Sequence, residues 1–113
     1  MPFENHGNRS FTPSSIGKNA PRASGVYGLA DANQWIYVGE TEDIQGELLN
    51  HLRNPREFLR DHPPSGFTFE LSTAGQRVGR QNQLVLELGP IGNRMVAQQA
   101  NVSREKENLS AND

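Results

Sequence analysis

The fold is decided by residues 25–41, whose sequence is GVYGLADANQWIYVGET. This stretch contains two short runs rich in β-forming residues, 25–30 and 35–38, on either side of the polar segment Asp31-Ala32-Asn33-Gln34. Two such runs around turn-forming residues are typical of a β-hairpin. The sequence therefore predicts a pair of antiparallel strands here.

A helix is predicted directly after the hairpin. Thr41 is a suitable N-cap residue, and Ile44, Leu48 and Leu52 recur at helical spacing. We therefore expect a helix from about residue 42 to residue 53.

The second half of the predicted fold is one more strand and one more long helix. Residues 56–60 can form a further helical turn before a break rich in proline at residues 61–66. Residues 67–71, FTFEL, alternate apolar and polar side chains and predict a third strand. From about Ala74, one helical face contains Val78, Gln81, Leu84, Val85 and Leu88, and Gly89-Pro90 ends the helix. The predicted fold class is α+β, with a three-stranded antiparallel sheet flanked by helices in the order β-β-α-(α)-β-α.

Composition sets the boundaries of the predicted domain. The chain has 113 residues, which is room for one domain, and only 34% of them are hydrophobic, so we expect the apolar residues to be concentrated in residues 21–95. Residues 1–20 have no apolar periodicity and predict a flexible segment, and residues 96–113 predict a polar, disordered tail.

Composition also excludes several classes of site. Cysteine is absent, which rules out disulfides, thiolate nucleophiles and cysteine zinc sites. The histidines, His6, His51 and His62, are too scattered to suggest a metal cage. No stretch approaches the length of a membrane span, and the N-terminus lacks the pattern of a secretory signal, so we expect a cytoplasmic protein without a membrane partner. The oligomeric state is not indicated by the sequence.

The net charge of −2 argues against nucleic-acid binding by bulk electrostatics, so any phosphate contact must be local. The arginines of the predicted domain that could supply such contacts are Arg53, Arg56, Arg60, Arg77, Arg80 and Arg94. The alternative that they are ordinary solvated surface side chains stays open.

Several residues on these elements resemble the GIY-YIG nuclease pattern. Gly25-Val26-Tyr27 and Tyr37-Val38-Gly39 match its two tripeptides, with valine in both isoleucine positions. Thr41, Leu48 and His51 follow on the next helix, and Pro90 and Asn93 resemble the closing Pro-x-x-Asn element. The similarity covers roughly residues 24–93. Each tripeptide alone is weak and the combination in this order is specific; a generic hairpin with buried tyrosines is the alternative.

The resemblance implies phosphodiester cleavage with one divalent metal ion. Members of the family hold the metal with a glutamate on the last helix, and an arginine on the first long helix faces the phosphate. By the same resemblance, Tyr27 is the general base, Tyr37 is its partner and His51 matches a common helix histidine. Four further positions match the structural motif: Gly25, Gly39, Pro90 and Asn93.

Two charged positions of the family pattern are different here. The arginine is expected ten residues after Tyr37, where the chain has Glu47, and the metal-binding glutamate is expected nine residues before Pro90, where it has Gln81. A carboxylate at the arginine position would raise the pKa of the tyrosines and repel a phosphate by ~1–4 kcal/mol. Glu47 and His51, four residues apart, also fit an ordinary exposed pair on a helix surface.

Three functions remain open. The leading hypothesis is a catalytically impaired nuclease-like domain that binds DNA or RNA weakly and needs no cofactor. Its phosphate contacts would be Arg53, Arg56, Arg77 and Arg80. The second is an active endonuclease using Mg²⁺ or Mn²⁺, in which Arg77 or Arg80 supplies the cation and Glu47 holds the ion together with Glu40 or Glu70. The third is a protein-binding scaffold.

Overall fold

The structure, a computed structural model, describes residue 3 and residues 8–97. Within these residues the elements follow the chain as β1 (Arg9–Ser10), α1 (Pro13–Asn19), β2 (Gly25–Ala30), β3 (Trp35–Thr41), α2 (Ile44–Arg53), α3 (Glu57–Asp61), β4 (Gly66–Leu71) and α4 (Arg77–Leu88). Residues 91–97 are also helical. The strands form one antiparallel sheet in the order β1-β4-β2-β3.

The predicted hairpin is the centre of this sheet. Tyr27 of β2 lies opposite Gly39 of β3, and on its other side β2 pairs with β4. All six residues of β2 are buried as a result. The turn closes on Asp31, whose carboxylate accepts hydrogen bonds from the backbone N–H groups of Asn33 and Gln34 at 2.8 and 2.9 Å. The α+β class is confirmed, but the sheet has four strands among the described residues, where three were predicted.

The additional strand and an additional helix lie in the segment that was expected to be flexible. Residues 9–19 form β1 and α1; β1 pairs with β4, and Ile16 of α1 is fully buried. Thr12 caps α1 by accepting a hydrogen bond from the Ser15 N–H at 3.2 Å. Neither element was predicted, because a two-residue strand and a seven-residue helix that buries one residue produce no periodicity. Of the predicted tail, residues 98–113 lie outside the described residues.

The start of α2 is shifted from the prediction. Asp43, not Thr41, is the N-cap, and its carboxylate accepts a hydrogen bond from the Gly46 N–H at 3.1 Å. The Thr41 hydroxyl instead accepts a hydrogen bond from the Asp43 N–H at 3.1 Å. Both residues are good acceptors for a free helix N–H, so the sequence does not distinguish them. The predicted apolar face is confirmed, since Ile44 and Leu48 are fully buried.

The sheet has a buried cluster on each face. Tyr27 and Leu29 belong to the larger cluster, with α1, α2 and α3, whereas Val26 belongs to the smaller one with Leu84 of α4. The apolar face predicted for α4 is partly wrong, because Val78 is 56% exposed. No helix among the described residues has the length and apolar character needed to cross a membrane.

Residues near the α4 N-terminus explain the exposure of Val78. Arg77 pairs with Glu40 of β3 and Gln81 bonds to the β3 backbone, so these side chains face the sheet. Val78 follows Arg77 by one residue and is therefore about 100° further round the helix. At the other end, Gly89 adopts φ 57°, the left-handed conformation that favours glycine, and ends α4 as predicted.

Candidate nuclease-like site

The aromatic residues singled out by the family resemblance meet in the structure. The ring centroid of Tyr27 lies 6.2 Å from that of Tyr37 and 5.5 Å from that of His51, and the Tyr37 and His51 rings are 5.9 Å apart. Gly39 makes this approach possible, because a Cβ atom there would lie 2.4 Å from the Tyr27 hydroxyl oxygen and ring. Strand pairing and one glycine therefore bring β2, β3 and α2 together around one pocket.

Tyr27 and His51 form a buried, neutral hydrogen bond. The Tyr27 hydroxyl lies 2.7 Å from His51 Nε2, and the two residues are 1% and 5% exposed. Burial, together with the nearby charge of Arg56, lowers the pKa of His51 to about 4, so the imidazole is neutral at pH 7. Burial also raises the pKa of Tyr27 far above its ordinary range. Both partners are therefore uncharged at pH 7, and the imidazole tautomer sets which of them donates.

Glu47 lies at the mouth of this pocket. Its Oε1 is 3.7 Å from His51 Nε2, but this contact is not an ion pair at neutral pH because the imidazole is uncharged. The interpretation of the two residues as an exposed pair is wrong for His51, although the Glu47 side chain is 39% exposed. Burial is the main cause of the raised pKa of Tyr27 and of Tyr37. The negative charge of Glu47 adds to the rise in both, as the sequence predicted.

Gln81 and Asn93 bind the free edge of β3. The Gln81 side-chain N–H donates to the Val38 carbonyl at 3.2 Å. The Asn93 amide forms two further hydrogen bonds with the same residue, accepting from the Val38 N–H at 2.8 Å and donating to its carbonyl at 2.9 Å. These amides replace the neighbouring strand that an edge strand lacks. The element that resembles Pro-x-x-Asn thus stabilises the sheet at the back of the pocket.

Two of the predicted phosphate-binding arginines are engaged within the protein. Arg77 Nε donates to Glu40 at 2.8 Å, and its Nη1 donates to the Ser24 hydroxyl at 2.8 Å. Arg80 forms a two-point pair with Glu70, at 2.7 and 2.8 Å. The sequence did not show the Arg77 pair because its partner is 37 residues away.

Arg56 lies closer to the pocket than the sequence indicated. Its Cζ atom is 5.0 Å from the centroid of the Phe58 ring, and that ring is 5.2 Å from the Tyr37 ring. The charge of the guanidinium opposes the rise that burial produces in the pKa of Tyr37. Arg56 comes after Pro55, outside the apolar repeat of α2, so helical spacing could not place it beside the tyrosine. Arg53, at the end of α2, is exposed.

The described residues do not fit the metal ion that the resemblance implies. The position expected to hold it is the neutral amide of Gln81, which bonds to the strand backbone. Glu40 and Glu70, the alternative ligands considered from the sequence, are paired with arginines. Nowhere in residues 8–97 do three or more His, Asp or Glu side chains gather closely enough to hold an ion. Hard divalent cations prefer carboxylate oxygens, and of Glu40, Glu47 and Glu70 only Glu47 is not paired with an arginine.

Comparison with known proteins identifies the fold. The chain resembles the GIY-YIG N-terminal endonuclease domain of UvrC from Thermotoga maritima bound to its catalytic divalent cation, magnesium, with 19% identity and a TM-score of 0.58 over 68% of this chain and 93% of that one. Two tyrosine-to-phenylalanine mutants of that domain, each bound to its catalytic divalent cation, match with 19% and 18% identity, TM-scores of 0.58, and coverage of 68% of this chain and 92% of theirs. No protein-family model and no curated protein matches the sequence. The likeness shows that this chain has the GIY-YIG fold.

Proposed function

We propose that this GIY-YIG-fold chain is a nucleic-acid-binding domain that does not cleave its ligand. The observation that carries the proposal is the state of Gln81, whose amide donates to the Val38 carbonyl at 3.2 Å where the family resemblance places a metal-binding carboxylate. Phosphoryl transfer depends mainly on positioning and on stabilising charge, which the family supplies with a metal and a cation. A neutral amide engaged with the backbone does not provide a metal ligand.

The state of Tyr27 supports the same conclusion. A tyrosine that serves as general base must ionise, whereas burial raises the pKa of Tyr27 and its hydroxyl is hydrogen-bonded to His51. Its side chain is 1% exposed, so an attacking water would not reach it in this arrangement. The Tyr27–His51 pair therefore acts as a structural hydrogen bond between β2 and α2.

Nucleic-acid binding is assigned to three exposed arginines at the end of α2 and in or next to α3. We call them the α2–α3 arginines: Arg53, Arg56 and Arg60. None of them forms an ion pair within the part of the chain that the structure describes. With about two or three phosphate contacts, the logarithm of the affinity should fall with the logarithm of the salt concentration with a slope of roughly −2 to −3. Weak, salt-sensitive binding is expected.

An active endonuclease with displaced ligands is the second candidate, and the position of Arg56 favours it. Its guanidinium beside Tyr37 could stabilise negative charge on a phosphate, in place of the arginine that α2 lacks. This candidate requires a metal ion held by carboxylates other than those seen in arginine pairs. A protein-binding scaffold is the third.

Nicking of supercoiled plasmid in Mg²⁺ or Mn²⁺ tests the absence of cleavage. We expect no nicking by the wild-type chain. Nicking that disappears in Tyr27→Phe would overturn the proposal and establish the active alternative. The phenylalanine variant keeps the ring and removes only the hydroxyl, so it separates activity of this pocket from a contaminating nuclease.

Fluorescence anisotropy with labelled DNA and RNA oligonucleotides at increasing NaCl tests binding. We expect binding at low salt that weakens as salt rises, and a clear loss in the double variant Arg53→Gln with Arg60→Gln. Arg94→Gln is the matched control, because Arg94 is exposed but lies outside the α2–α3 arginines. If neither DNA nor RNA binds at low salt, the scaffold remains and nucleic-acid binding is wrong.

A further inference from the structure

Arg56 is held in place more firmly than an ordinary surface arginine. Its guanidinium lies over the Phe58 ring, with Cζ 5.0 Å from the ring centroid, and this cation–π contact orients the planar group. Phe58 is only 4% exposed. Its ring also borders Gly92 so closely that a Cβ atom on that glycine would lie 2.6 Å from the ring edge. A fixed aromatic platform therefore holds the charge beside the pocket.

The Tyr37 hydroxyl is the second donor at this point. Tyr37 is half-buried, unlike Tyr27, and its ring packs against Phe58 with the centroids 5.2 Å apart. Burial raises the pKa of Tyr37 in spite of the opposing charge of Arg56, so the hydroxyl keeps its proton at neutral pH. A phenol O–H and a guanidinium both donate hydrogen bonds, and the natural ligand for two such donors is an oxyanion.

Glu47 limits the charge of that oxyanion. Its carboxylate is close enough to raise the pKa of both Tyr37 and Tyr27, and its side chain is 39% exposed. The pocket mouth therefore presents one cation and one anion. Attraction to Arg56 and repulsion from Glu47 both grow with the charge of the ligand, so Glu47 offsets part of what a second negative charge would gain from Arg56.

We propose that the Tyr37 hydroxyl and the Arg56 guanidinium, placed by Phe58, form a seat for one phosphodiester group, and that Glu47 disfavours a doubly charged terminal phosphate. The Arg56 side chain thus supplies the positive charge of the seat, although it stands on a different element from the one that sequence spacing indicated. The inference rests on the proposed nucleic-acid function for its biological ligand, but the seat itself is a property of these side chains.

Titration with dimethyl phosphate, a singly charged diester, tests the seat without nucleic acid. The probe signal is the Arg56 side-chain Nε–H resonance in the full-length ¹⁵N-labelled chain. We expect this resonance to shift with added dimethyl phosphate in the wild type, and the shift to be largely lost in Tyr37→Phe. Arg94→Gln is the matched control, since Arg94 is exposed and lies outside the α2–α3 arginines, and it should leave the shift intact. An Arg56 signal that does not move, or that moves equally in Tyr37→Phe, overturns the seat.

Oligonucleotides with and without a 5′-phosphate test the charge preference. For an unphosphorylated strand, we expect Arg56→Gln to weaken binding about tenfold and Arg53→Gln only about two- to threefold. Glu47→Gln should improve binding of an end-phosphorylated strand by several-fold more than binding of an unphosphorylated one. Equal effects of Arg56→Gln and Arg53→Gln would sink the inference while leaving the proposed function standing. A dimethyl phosphate response without any oligonucleotide binding would support the seat and contradict the proposed nucleic-acid function.

Discussion

The structure buries polar groups in two contrasting ways, on the two faces of the sheet. On the α2 face, Tyr27 and His51 meet as neutral groups, because the pKa of the imidazole falls to about 4. Near α4, Arg80 and Glu70 keep their charges and meet as a two-point ion pair, at 2.7 and 2.8 Å. Burial of an unpaired charge is too costly for either face, so one pair is neutral and the other is compensated.

The contrast bears on function because the neutral pair and the ion pairs both leave less uncompensated charge at the site. The neutral pair leaves no ionised base in the pocket, and the ion pairs of Arg77 and Arg80 engage arginines that could otherwise bind phosphate. Arg56 differs from both, since it is exposed and rests on an aromatic ring. The available positive charge near the pocket therefore comes from the start of α3.

Loss of Arg80 should have the largest effect on stability. Arg80→Met leaves the Glu70 carboxylate, only 8% exposed, without its two-point partner, and should lower the free energy of unfolding by about 3 kcal/mol. Urea unfolding at pH 7 measures this. Arg53→Met, which removes an exposed arginine, should change stability by no more than about 0.5 kcal/mol. Equal losses in the two variants would contradict the structural role of the Arg80 pair.

Acid should break the neutral pair. The unfolded His51 takes up a proton near pH 6.5, whereas the folded one resists protonation until about pH 4, so the unfolded state binds more protons between these values. Stability should therefore fall by about 3 kcal/mol as the pH is lowered through this window, and should show no further loss from His51 below it. Urea unfolding across the pH range measures the slope. His51→Gln should flatten it, and His62→Gln should not.

Removal of one hydroxyl should have a smaller effect. Tyr27→Phe keeps the packing of the ring and removes the hydrogen-bond partner that lies 2.7 Å from His51 Nε2, which should cost about 1–2 kcal/mol at pH 7. Tyr37→Phe is the matched control, because Tyr37 is only half-buried and its hydroxyl does not contact His51; we expect a loss below about 0.5 kcal/mol. The reverse order of the two losses would show that Tyr37, not Tyr27, carries the structural hydrogen bond.

The sequence predicted the neutral Tyr27–His51 pair better than the ion pairs of Arg77 and Arg80. Alternation and helical spacing predicted the hairpin, α2, β4 and α4. The family resemblance assigned Tyr27, Tyr37 and His51 to one site, and their rings lie close together in the structure. Ion pairs depend on which residues the sheet topology makes neighbours, so Arg77 with Glu40 could not be inferred. The position of Arg56 was missed for the same reason, since only the tertiary structure puts Phe58 beneath it.

Salt should produce the smallest effect. It should also distinguish the charged Arg77–Glu40 pair from the neutral Tyr27–His51 pair most clearly. At 1 M salt the Debye length is about 3 Å, so partly exposed charges are screened while neutral hydrogen bonds are not. The side chains of Arg77 and Glu40 are 18% and 30% exposed, and we expect their coupling energy, from a double-mutant cycle, to fall by about 0.5 kcal/mol between 0.05 and 1 M NaCl. The matched cycle with Tyr27→Phe and His51→Gln should give the same coupling at both concentrations. Since each cycle cancels the general effect of salt on burial, a salt-dependent Tyr27–His51 coupling would mean that the histidine carries charge, and the neutral description of the pocket would fail.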